Sequence, residues 1–276
     1  SPISALTKLL ERFSQKQYFG HSRGVIFGEE LLKDEKLLKG VLDGMGRYHE
    51  LHGSMYAFAV PGRAEEVFDV EPLFDKLIGP YIYGLADNSA YVSRIYKLTL
   101  GELITKIKNQ KGNVIIPRMT ATKEELKANG AVVIKDYKLI GYLGDDEVST
   151  FNWITNDAEG GIITVEFRDV AAAFMHYRFG RRIKLDKVEK GKIYLTYEME
   201  IEGSVEEYKL GSNLMDTEIL MEIEKEIEKK MVERSEKLIK KFQEEYKVDL
   251  IGAGDYLSKF HPRIYKTIEK DYERYF

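Results

Sequence analysis

Between Ile193 and Glu202 apolar and polar positions alternate without a break: Ile193, Leu195, Tyr197, Met199 and Ile201 share one face, Tyr194, Thr196, Glu198, Glu200 and Glu202 the other. A period of two sustained over ten residues describes a strand with one buried face and one wet face, and the buried face needs a cover. The cover lies just downstream. From Asp216 to Tyr246 the residues Leu220, Ile223, Ile227, Met231, Leu238 and Phe242 recur at helical spacing among Glu/Lys pairs, which predicts an amphipathic helix lying across the sheet. Unbroken, it would run to about 45 Å. Its apolar period is not kept for enough heptads to predict an intermolecular coiled coil.

The remainder mixes both element types. Ser4 can cap a helix carrying Leu6, Leu9, Leu10 and Phe13, with Gly20 at its end; Val25 to Phe27 reads as a short strand, Leu31 to Met45 as helix, and Met55 to Val60 as a buried strand stopped by Pro61-Gly62. Pro72 suits a first helical position, and Thr99-Leu-Gly-Glu102 is a capping box opening a helix to Asn109. Thr122-Lys-Glu-Glu125 reads as a second capping box, with a short helix ending by Gly130. Ala131 to Ile134 and Leu139 to Leu143 flank a polar hairpin connection, and Gly144-Asp145-Asp146 supplies a turn. Ile162 to Phe167 is a strand, and Arg182 to Val188 pairs with Lys192 to Glu202 through Glu189-Lys190-Gly191. Gly252, Gly254 and a break at His261-Pro262 precede a closing aromatic-rich helix with Tyr265, Ile268, Tyr272 and Phe276. The expected class is α+β, a multi-unit mixed protein with mainly antiparallel or mixed sheets flanked by helices and one long C-terminal helix packed on a sheet. Three units are expected: an N-terminal α/β domain over 1–115, a small middle unit over 116–158, and a C-terminal domain of sheet plus long helix over 159–276.

The 276-residue sequence contains no cysteine, which excludes disulfides, thiolate nucleophiles and Cys-ligated metals together. Lys and Arg number 42 against 46 Asp and Glu, so no basic field favours nucleic acid as a partner. No apolar run reaches the ~18–20 residues of a membrane-spanning helix. His49-Glu-Leu-His52 resembles a zinc-protease helix, but its histidines stand three apart instead of four and no third ligand is near; His21, His176 and His261 stand alone and read as structural. Gly44-x-Gly46 and Gly252-x-Gly254 lack the further residues of a nucleotide loop, and Asp145-Asp-Glu147 lacks the alternating ligands of a calcium loop. The segment Arg178 to Lys184 (RFGRRIK), containing Arg181 and Arg182, reads as a strand edge or as a contact for an acidic partner. Trp153, the one tryptophan, reads as a core anchor. No catalytic, cofactor or metal site is predicted.

Gly130-Ala-Val-Val-Ile-Lys-Asp-Tyr-Lys-Leu-Ile-Gly-Tyr-Leu143 resembles a pattern of the Ger(x)C lipoprotein family, the C subunits of bacterial spore nutrient-germinant receptors. Further segments follow in the family's order: Glu147, the aromatic stretch through Trp153, Gly160-Gly-Ile-Ile, the long charged helix, Val248-Asp-Leu-Ile-Gly-Ala-Gly254, and His261-Pro262. Gly20-His21 through Leu31 and Arg47-Tyr-His-Glu50 match nearer the start, with Ile134, Tyr142 and His49 departing from the usual Phe, Trp and Asp. The resemblance implies a non-catalytic extracytoplasmic subunit on the outer face of the spore inner membrane, lipid-anchored through an N-terminal segment absent from this chain. It also implies partnership with the membrane A and B subunits. Glu147, Trp153, Arg181 and Arg182 are the positions carried forward as partner-contact candidates. An extracytoplasmic binder of an amino acid or sugar is the alternative, and a metal-dependent hydrolase built on His49 and His52 ranks last.

Overall fold

Two sheets organise the chain, each with its own helical cover. The computed structural model describes residues 21–48, 51–72, 77–167, 170–208 and 217–276. They fall into two compact units, one comprising the described residues through 88 with 95–145, the other 89–94 with 146–276. The stretch 116–158, expected as a unit of its own, is shared between them.

In the first unit β1 (Gly24–Gly28) leads into helices α1 (Glu29–Lys33) and α2 (Glu35–Arg47), then into β2 (Tyr56–Val60) lying parallel to it. Asp34 opens α2 by accepting from Leu37 N at 3.0 Å, which satisfies one of the donors a helix start leaves unpaired. All five residues of β2 are buried, as expected of a strand flanked by neighbours and covered by helices. Helices α3 (Ile78–Asp87) and α4 (Leu100–Asn109) carry the chain to β3 (Val114–Ala121), parallel to β2 through a single pairing. The predicted capping box at α4 is formed: Glu102 N donates to Thr99 Oγ1 and Thr99 N to Glu102 Oε2 at 2.8 Å. Strands β4 (Leu126–Lys135) and β5 (Lys138–Leu143) complete a five-stranded sheet in the order β1-β2-β3-β4-β5, antiparallel from β3 onward.

The helix expected after Thr122 is not formed. Thr122 N donates to Glu125 O at 2.9 Å and Glu125 N to Thr122 Oγ1 at 3.2 Å, so the supposed cap closes the β3–β4 turn. The same local bond serves a turn or a helix start, and the run that follows, Ala131 with the β-branched Val132, Val133 and Ile134, pairs with β3.

The second unit begins with α5 (Asp145–Thr155) and a three-stranded antiparallel sheet, β6 (Gly161–Phe167), β7 (Val170–Glu189) and β8 (Lys192–Tyr208), in that order. Asp145, Asp146 and Glu147 form the first turn of α5 and not the predicted solvated turn; carboxylates there complement the helix dipole. The long helix α6 (Thr217–Lys240) covers one face of the sheet through Ile219, Ile223, Ile227 and Met231, against Ile163, Val165, Ala172 and Trp153. Ile219 takes the buried position expected of Leu220. Each such side chain contributes about 1.5–3 kcal/mol relative to exposure. The predicted helix start at Asp216 and the predicted first helix from Ser4 lie outside the described residues, and Pro72 ends at their boundary. At its far end α6 runs into a π-helical turn, Lys241–Tyr246, before α7 (Ala253–Phe260), α8 (Pro262–Ile268) and α9 (Tyr272–Tyr275). Pro262 stands at the first positions of α8, where its missing N–H costs nothing.

Candidate functional site

The site with the most local organisation lies where the closed end of the β7–β8 hairpin meets the C-terminal helices. Its centre is Asp249. Oδ1 accepts from the backbone N–H groups of Ile251, Gly252 and Ala253 at 3.1, 3.0 and 3.3 Å, and Oδ2 from Gly254 N at 2.6 Å. One carboxylate thus collects the otherwise orphaned donors at the start of α7, although the side chain comes from beyond the usual capping position. Tyr272 donates its hydroxyl to Oδ2 at 2.7 Å, joining the last helix to the first turn of α7. A Cβ on Gly254 would stand 2.8 Å from the Tyr272 ring, so only glycine permits this approach. Burial first, and then the Asp249 charge, hold the phenols of Tyr272 and Tyr197 far above their ordinary titration range; burial and the same charge raise the Asp255 carboxyl. Both tyrosines are neutral donors at any physiological pH.

A half-open cavity of about 250 Å³ adjoins this network. Ile193, Leu195 and Tyr197 of β8 form one wall, Ile239 and Gln243 from the end of α6 and the π-helical turn another, and the C-terminal helices the rest. No side chain lining it carries a charge. π-helical turns are rare and are found frequently at functional sites. This one is held from outside by α5: Lys241 Nζ donates to Glu147 Oε1 and Oε2 at 2.8 and 3.1 Å, and Phe151 meets Phe242 edge-on at 6.2 Å. Burial alone would lower the Lys241 ammonium, but its hydrogen bonds to Glu147 and Tyr246 prevail and raise it.

The four positions carried forward from the sequence separate. Arg181 joins the site: its guanidinium donates to Ile251 O at 3.3 Å and lies 5.9 Å from the Tyr197 ring centroid. Glu147 braces the π-helical turn from behind. Trp153 is 1% exposed in the core beneath α6, a core anchor without surface to offer. Arg182 is exposed and stands opposite Glu198. The basic segment 178–184 lies at a strand edge, as read: β6 pairs with β7 only over residues 170–176. Beyond His176 β7 pairs with β8 alone, where Arg178 reaches across to Glu202 at 3.0 Å and Lys184 bonds Glu198, so two of the four cations of the segment are paired with the Glu row of β8. Among the described residues no group of three His, Asp or Glu could hold a metal; His52 is exposed, and His49 and Glu50 lie outside them. Asp249, Tyr197, Gln243 and Tyr272 were not singled out by spacing. Only the Val248–Gly254 segment of the resemblance pointed to this corner.

Residues 129–276 match a family described as "Spore germination B3/ GerAC like, C-terminal", and residues 1–121 match "Spore germination protein N-terminal domain". Among curated relatives from Bacillus subtilis (strain 168), spore germination protein B3 is 26% identical over 271 residues, 94% of this chain and 70% of that protein. Spore germination protein YndF is 24% identical over 95% of this chain, which spans 65% of YndF's length. A solved structure, "Crystal Structure of the GerBC protein", superposes with a TM-score of 0.74 at 21% identity, covering 96% of this chain and 78% of that one; it shares the fold.

Proposed function

The chain belongs to the spore germination B3/GerAC-like family, and on that premise we propose that it is the C-type subunit of a nutrient germinant receptor, acting without catalysis through contacts with the membrane A and B subunits. The observation that carries the proposal is the breadth of the match: two spore-germination families in order across the chain, and relatives named for spore germination aligned over more than nine-tenths of it. In this reading the protein sits at the outer face of the spore inner membrane, held by an N-terminal lipid and by its partners. A single acyl chain gives only marginal attachment, so subunit contacts would share the anchoring. No helix among the described residues is long and apolar enough to cross a membrane, which is compatible with lipid attachment.

The test is release of dipicolinic acid from spores with and without the gene, across a panel of amino acids and sugars. The proposal expects the response to at least one nutrient to vanish on deletion and return on complementation, while release by pressure persists. Unchanged responses to every nutrient, in a strain holding no second copy, would overturn it.

A further inference from the structure

We propose that the cavity between the β7–β8 hairpin and the C-terminal helices binds a small uncharged molecule with an apolar body and a single hydrogen-bonding group, oriented by Gln243. The volume sets the size: about 250 Å³ is below the ~300–1,000 Å³ of sites for drug-sized ligands. Electrostatics set the charge. An anion would find no cationic side chain in the lining and no free backbone nest, because Asp249 has taken the N–H groups of residues 251–254. A cation would meet, on the β8 wall, rings that already have cations of the protein beside them, Lys187 Nζ 4.8 Å from the Tyr194 centroid and the Arg181 guanidinium 5.9 Å from that of Tyr197. No side chain of the lining supplies a carboxylate to pair with it. A zwitterionic amino acid would face both penalties at once, since burying either charge unpaired is costly.

What the walls do offer is isoleucine, leucine and tyrosine surface with its hydroxyls, and the Gln243 amide as the one side chain there that carries both an N–H donor and a carbonyl acceptor. Gln243 belongs to the π-helical turn, which Glu147 braces from the opposite side through Lys241. The most irregular stretch of the long helix therefore presents the one amide of the site. This inference stands apart from the receptor reading, and its failure would leave family membership untouched.

Benzyl alcohol, benzylammonium and benzoate share a ring and differ in charge, which makes them suitable probes. Titrated into the purified chain with its isoleucine and leucine methyl groups labelled for NMR, benzyl alcohol should saturate with shifts concentrated at Ile193, Leu195, Ile239 and Leu257. Both ions should bind at least about tenfold more weakly. Gln243→Leu, at an exposed position, should weaken benzyl alcohol about two- to tenfold, the net contribution of one neutral hydrogen bond. Ile193→Trp should fill the space and abolish the shifts at Ile239 and Leu257; if that variant does not fold, the Gln243 comparison decides. The proposal is overturned if benzyl alcohol produces no saturable shifts, if either ion binds as well, or if Gln243→Leu leaves affinity unchanged.

Discussion

At the scale of single residues, two polar groups separate the bonds that hold the C-terminal unit from a group it carries at a cost. Asp249 satisfies four backbone donors and one phenol, so Asp249→Ala should destabilise the protein by about 2–3 kcal/mol, and Tyr272→Phe by about 1–2 kcal/mol, in urea unfolding. Equal, negligible effects would mean that water replaces these bonds. His176 is the opposite case. It is 1% exposed, with neither ring nitrogen partnered among the described residues, and burial lowers its pKa. The unfolded chain therefore takes up a proton, as pH falls through its ordinary value near 6.5, that the folded chain refuses. Stability is full above that pH and falls below it, by at most about 1.4 kcal/mol per pH unit until the folded-state pKa is reached. His176→Phe should flatten the drop in urea midpoint between pH 7.5 and pH 5; an unchanged slope would assign acid sensitivity elsewhere. The sequence foretold a structural role for His176 but not its lack of partners, because burial is decided by strands far apart in the chain.

Elements were legible wherever one periodicity dominated. The alternation at 193–202 and the hairpin at Lys135–Lys138 stand as read, and so does the helical stripe from Ile223 on, with Ile219 in place of Leu220 at its start. The segment after Thr122 did not, because a side-chain cap of three-residue reach is shared by turns and helix starts and only pairing with β3 decides between them. The bulge within β4 rests on Gly130, whose φ is +72° and whose Cβ, if present, would lie 2.2 Å from Leu143 O. Gly130→Ala should therefore cost more than the ~1 kcal/mol of an ordinary glycine replacement, seen as a lowered Tm with loss of soluble yield. The π-helical turn left no mark in the apolar pattern, since Phe242 continues the stripe through it. Its brace is testable: Glu147→Gln should cost only about 1 kcal/mol, a partly exposed ion pair, yet selectively speed amide exchange over 241–246. Uniform faster exchange would point to global destabilisation instead.

For the whole molecule, family and fold class were readable from ordered segments, while the candidate site was not, because it is assembled from residues as distant as Arg181, Asp249 and Tyr272, with no shared local motif. The division into units shows the same limit. The two family matches meet between 121 and 129, inside the β3–β4 hairpin, whereas the compact units part at 145–146, since sheet pairing, not sequence continuity, decides which side β4 and β5 join. What the molecule does in the spore is proposed to depend on its neighbours in the membrane. The direct measurement is to tag the full-length protein in the spores of its own organism, cross-link, solubilise the inner membrane and identify what co-purifies by mass spectrometry. Recovery of A- and B-type germinant-receptor subunits in amounts comparable to the tagged protein is the result predicted. An intact tagged protein recovered with neither would contradict the account.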